Sequence, residues 1–136
     1  RLRPIINAID NNNDFIEPVI PETIAKSIAI GNPADGLNSV NLVNKTNGTG
    51  TSVSESEIIQ GIRLLAETEG IFTETAGGVV IASLIKLSRQ NKLPSDEKTV
   101  CLITGNGLKT PDVVSNIKTF DIDSKSSNLD EILSKV

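Results

Sequence analysis

Few side chains in this sequence could do chemistry unaided. The 136 residues contain no His, which removes the commonest general base and the commonest metal ligand. The one cysteine, Cys101, sits inside an apolar run and reads as a buried core thiol. What remains is a turn. The stretch TVCLITGNGLKT, Thr99 to Thr110, carries apolar residues into two glycines one residue apart and then a lysine. It is not a dinucleotide fingerprint, because G-x-G-x-x-G needs a third glycine where Thr110 stands. It is not a Walker A loop, because Lys109 does not follow a glycine at the required spacing. Spacing alone leaves two readings open. One is a tight turn with positive φ at Gly105 or Gly107. The other is a backbone that a ligand approaches closely, with the Thr104 hydroxyl at its edge. Glu74, just before a helix start, is equally two-sided: a carboxylate favoured by the helix dipole, or a site carboxylate. Ala76-Gly77-Gly78 could let that helix start approach another backbone or a ligand, or serve only as a tight connection.

Nothing else forms a constellation. No nucleophile stands with a base, and no metal-ligand spacing appears. Glu55 with Glu57, and Asp96 with Glu97, read as solvated faces. One cysteine rules out an intrachain disulfide framework. Net charge is −4 with no basic stripe, so a nucleic-acid partner is not expected. No apolar run reaches the roughly 18 residues of a membrane span. RLRPIINAID has no signal-peptide core, so two overlapping sequons at Asn44 and Asn47 read as chance and the expected compartment is the cytoplasm. The chain has no Met, even at position 1, and reads as a segment of a longer protein.

The elements that must position these residues follow from periodicity. Pro4, Pro18, Pro21 and Pro33 punctuate the first third, where long regular elements are not expected. ETIAKSIAIG fits a short helix or a short strand ending at Gly31. Residues 35–53 are rich in Asn, Ser, Thr and Gly and read as a flexible surface loop. Ser54 and Glu57 then form an S-x-x-E capping box. Ile58, Ile59, Ile62, Leu65 and Ala66 make one apolar helical stripe, and Gly70 is placed to end it in a left-handed turn. Gly61 costs that helix about 1 kcal/mol relative to Ala, which suggests close packing there, though chance would account for it as well. Ile71 to Glu74 reads as a short strand. A second helix runs from about Ala76 to Gln90, apolar around most of its circumference and therefore expected between layers. Thr99 to Thr104 reads as a buried strand of the parallel-sheet type. Beyond Asp112 the chain is more polar, with a terminal helix expected over Leu129 to Val136. The order helix, strand, helix, strand is an α/β signature within a single segment, residues 1–136.

Three stretches occur together: IAIGNPA (28–34), SESEIIQGIRLLAETEGIFTETAGGVVIASLIKL (54–87) and VCLITGNGLKTPD (100–112). In this order and spacing the chain resembles the C-terminal part of threonine synthase, a fold type II pyridoxal-phosphate (PLP) enzyme, over about residues 17–115. The resemblance implies an α/β fold, as part of an open, mostly parallel three-layer sheet domain. It implies conversion of O-phosphohomoserine and water to threonine and phosphate by a carbon–oxygen lyase in which PLP is the electron sink. It puts the Thr104 hydroxyl opposite the pyridine nitrogen, Gly105 and Asn106 in the turn beneath the ring, and Glu74 near the cofactor. Gly31 and Asn32 match a segment near the site. Departures are Thr75, where the family more often has Pro, Thr110, where it often has Asp, and Asp35-Gly36. No lysine matches the one that carries the cofactor, so no catalytic residue is expected in this segment, and the segment alone is expected to be inactive. Implied partners are a small amino-acid substrate, the N-terminal part of the same enzyme, and further copies of it through an unpaired sheet edge. The alternatives are a threonine or serine dehydratase of the same fold type, or a non-catalytic association or regulatory module.

Overall fold

The computed structural model describes residues 3–115. Among the described residues, four helices carry the fold: α1 (Pro4–Asp10), α2 (Gly36–Lys45), α3 (Glu55–Glu69) and α4 (Thr75–Arg89). Short 3₁₀ turns lie at Lys26–Ile28, Gly107–Lys109 and Pro111–Val113. The terminal helix expected over Leu129 to Val136 lies outside the described residues.

Local chemistry sets the ends of α3. The Ser54 backbone amide donates to Glu57 Oε2 at 2.6 Å, and the Glu57 amide donates back to Ser54 Oγ at 3.3 Å. The expected capping box is therefore closed in both directions. Gly70 ends the helix at φ 68°, in the left-handed conformation that glycine adopts without strain. The apolar stripe of α3 faces α4 and the segment around Ala25. Ile58 and Ile62 join Ala25 in the core, with Ile24, Val53, Val79, Val113 and Val114 packed around them.

The two long helices touch at glycine. A Cβ on Gly61 would lie 2.6 Å from the Gly78 carbonyl oxygen, and one on Gly78 would lie 2.7 Å from the Ile58 carbonyl oxygen. Close packing thus explains Gly61. Lys86 braces the other end of α4, donating to the Ser52 carbonyl at 2.7 Å. Helices α1 and α2 form a second, smaller contact, burying Ala8 and Val40.

Four expectations change. Residues 35–53 are not all loop, since Gly36–Lys45 form α2. Its Asn and Ser residues have poor intrinsic propensity, but burial of Val40 stabilises the turn of helix against α1. The strand expected at Ile71–Glu74 is reduced to one antiparallel bridge, Thr73 with Asn106. Residues 99–104 are not a buried strand: Val100 is 81% and Leu102 74% exposed, because no described residue offers them a neighbouring strand. Helix α4 is not sandwiched; Val79, Val80, Leu84, Ile85 and Leu87 are half-buried, since α3 covers only one side. The described residues are thus helical, and the sheet is not among them.

Candidate functional site

The arms 72–74 and 105–107 lie side by side. The Gly107 amide donates to the Phe72 carbonyl at 3.0 Å, and the Glu74 amide donates to the Gly105 carbonyl at 3.4 Å. The Thr73 hydroxyl donates to that same Gly105 carbonyl at 3.2 Å. This three-bond clasp joins the glycine turn to the start of α4, 32 residues earlier in the chain.

Both glycines of the turn are required. Gly105 has φ 82°, and a Cβ there would collide with the Glu74 carboxyl group. A Cβ on Gly107 would lie 2.5 Å from the Phe72 ring. The Glu74 side chain therefore lies against bare backbone. Glu74 is the N-cap residue of α4, only 5% exposed, yet its carboxylate makes no capping bond to the helix. Thr75, the next residue, is fully buried, and its hydroxyl has no hydrogen-bond partner among the described residues. The Thr110 hydroxyl, at the far end of the turn, is buried and unpartnered in the same way.

The structure brings Glu74, Gly105 and Asn106 together. Thr104 adjoins them on the exposed side of the turn. Asn106 has a local task as well: its side-chain oxygen accepts from the Leu108 amide at 2.9 Å and caps the 3₁₀ turn. Gly31 and Asn32 are anchored elsewhere. The Val19 amide donates to the Gly31 carbonyl at 3.0 Å, and a Cβ on Gly31 would overlap the Val19 carbonyl. The roles of Thr73 and Thr75 were not visible in the sequence as site chemistry. The signal available was the threonine pair flanking Glu74, one of them standing where the resembling family more often has proline. No group of three or more His, Cys, Asp or Glu able to hold a metal ion occurs among the described residues, and none of their helices is long and apolar enough to cross a membrane.

A family model described as "Pyridoxal-phosphate dependent enzyme" matches residues 3–105. The chain belongs to that family. The match takes in Glu74, Thr104 and Gly105, and ends just before Asn106. Among curated proteins, the chain is 40% identical over 112 residues to a threonine synthase of Bacillus sp. (strain ULM1), covering 82% of this chain and 32% of that protein. It is 40% identical over 111 residues to a threonine synthase of Methanocaldococcus jannaschii, covering 81% of this chain and 27% of that protein. A threonine synthase of Synechocystis sp. is 40% identical over 92 residues, 68% of this chain and 24% of that protein. The chain spans about a third or less of the length of these relatives and corresponds to their C-terminal portion.

Proposed function

We propose that this chain supplies the C-terminal part of a PLP enzyme of the threonine-synthase type, converting O-phosphohomoserine and water to threonine and phosphate. The observation that carries this reading is the clasp that holds Gly105, with Thr104 and Asn106 on either side of it in the chain, against Thr73 and Glu74 at the start of α4. Its residues suit the cofactor. Thr104 offers an exposed hydroxyl beside a turn that is fixed on its other side, and Gly105 presents backbone without a side chain. Glu74 adds a buried carboxylate, and Thr75 a buried hydroxyl without a hydrogen-bond partner among the described residues.

When bound, PLP supplies the electron sink for bond breaking in the amino-acid substrate. Thr104 would hold its hydroxyl toward the pyridine nitrogen. A neutral hydroxyl brings no negative charge to keep a proton on that nitrogen, which restrains the sink and favours elimination and replacement. Glu74, kept from solvent by the turn, would accept hydrogen bonds near the cofactor, and Gly31 and Asn32 would border the site. The cofactor-carrying lysine and the sheet of an α/β domain would come from the rest of the enzyme, whose strands would pair with residues 99–104 and cover Val100 and Leu102. The reading sets the enzyme in the cytoplasm as a homo-oligomer.

The test is kinetic, on the full-length enzyme. Thr104→Ala should retain the cofactor, read by visible absorbance, and lose turnover of O-phosphohomoserine about tenfold, the worth of one hydrogen bond of about 1.4 kcal/mol. Thr104→Ser should restore it. Unchanged turnover in Thr104→Ala refutes its assigned role. Formation of a keto acid and ammonia from threonine or serine, with no threonine made from O-phosphohomoserine, would assign a dehydratase instead. Absence of a cofactor band would overturn the enzyme reading.

A further inference from the structure

Glu55 looks like a solvated charge at the start of α3, but both of its carboxylate oxygens are occupied. Oε1 accepts from the Thr23 hydroxyl at 2.9 Å, and Oε2 accepts from the Ile24 backbone amide at 2.9 Å. The Thr23 hydroxyl oxygen in turn accepts from the Ala25 amide at 3.2 Å. A carboxylate that takes two donors from consecutive residues fixes their orientation as well as their distance. Its charge also suits the positive end of the helix it begins.

The clamped residues lead into a compact unit. The Lys26 amide donates to the Ile24 carbonyl, Ile28 to Ala25, Ala29 to Lys26, and Ile30 to Ile28, at 2.9–3.2 Å. Ala25 is 2% exposed, inserted beside Ile58 and Ile62 of α3. Four successive tight turns leave little slack, so residues 24–30 transmit the position of Ala25 to Gly31 and Asn32. Gly31 is pinned from its other side by Val19 and Pro21. Ile28 and Ile30 from this unit, Pro33 just beyond it and Val79 from the first half of α4 line one groove of about 680 Å³, with Glu55 and Thr23 also in its lining.

We infer that Glu55 is a positioning residue: by gripping Thr23 and Ile24 it sets the groove wall at Ile28 and Ile30, and the Gly31–Asn32 turn that follows it in the chain, against the α3–α4 pair that carries Glu74. It touches neither substrate nor cofactor. The inference rests on the proposed reading for its consequence, that Gly31 and Asn32 border the reaction site. Its physical content, the grip itself, is independent of that reading.

The experiment combines amide hydrogen exchange and steady-state kinetics on the full-length enzyme with Glu55→Ala, Glu55→Gln and Thr23→Val. Glu55→Ala should speed exchange at amides 24–30 about tenfold, and raise KM for the amino-acid substrate about tenfold with kcat and cofactor absorbance little changed, since a loosened site wall weakens binding of the ground state and the transition state alike. Thr23→Val should do the same in part. Glu55→Gln loses the charge but keeps the grip, because its amide oxygen can accept from Ile24 and its NH2 can donate to Thr23; it should behave as the parent protein. A merely structural loss of helix charge would instead make Gln as harmful as Ala, which overturns the inference. So does an active enzyme whose Glu55→Ala variant shows parental exchange, or altered exchange with parental KM. An enzyme without PLP-dependent turnover in its parental form would sink the functional reading, while the exchange data would still decide the grip.

Discussion

Replacing Gly61 with Ala sets two effects of opposite sign against each other. Alanine in place of glycine inside a helix stabilises it by about 1 kcal/mol. Against this, the new Cβ meets the Gly78 carbonyl oxygen at 2.6 Å and the Ala82 amide nitrogen at 3.1 Å. Ordinary contact begins near 3.4 Å, so the two helix backbones must part by about 0.8 Å. Neither partner is a side-chain end that can swing away. A gap of that size forfeits a quarter to a half of the dispersion well for atoms facing across it, and overpacking of a tight core costs about 1–3 kcal/mol. Overpacking should win, leaving a net loss of about 1–2 kcal/mol. Thermal melts followed by far-UV circular dichroism should show the midpoint falling by about 4–8 °C for a chain of this size. Gly78→Ala should fall similarly, and the double variant should lose less than the sum by about 0.5–1 kcal/mol, since the first substitution has already parted the helices. Glu67→Ala, on the exposed side of α3, is the control and should stay within about 0.5 kcal/mol. A Gly61→Ala protein as stable as its parent would refute the backbone contact.

Gly105→Ala should cost about 2–4 kcal/mol, combining a left-handed φ with collision into the buried Glu74 carboxyl. Gly70→Ala, with similar φ and no described atom within 4 Å of the added Cβ, should cost only about 1 kcal/mol by the same melts; equal losses would remove the carboxyl from the account. Ser54→Ala should lose about 1 kcal/mol, and Ser54→Ala with Glu57→Ala less than the sum of the two, because each half of a capping box depends on the other; strict additivity in denaturant titrations would contradict the box. Thr75→Val should be neutral or slightly stabilising in the absence of cofactor, since among the described residues the lost hydroxyl has no partner to strand. A loss above about 2 kcal/mol there would mean that the hydroxyl is bonded after all.

The start and end of α3 could be read from the chain because capping is local. Ser54, Glu57 and Gly70 each act within one turn of helix, and their residue types determine the geometry. Helix α2 could not, because Gly36–Lys45 holds together through Val40 against α1, a contact between distant parts of the chain. The apolar run at 99–104 reads as a buried strand, but Val100 and Leu102 are exposed, because a strand needs a neighbour and none of the described residues provides one. For the candidate site, Glu74 and Gly105 were legible as residue types in suggestive settings, while Asn106 entered only through the family resemblance. Their meeting was not, since Gly105 lies 31 positions beyond Glu74 in the chain.

By itself, then, the sequence determined what acts over short range: the helix caps, the apolar stripe of α3, the absence of an autonomous base, and the motifs shared with PLP enzymes. Tertiary structure decided which ambiguous features were used. It assigned Gly61 to a backbone crossing, Gly105 to a turn that accommodates a carboxylate, and Glu55 to a grip on Thr23 and Ile24. The physical reason is common to all three. A glycine or a carboxylate is permissive, and only the atoms brought against it from elsewhere in the chain fix what it does.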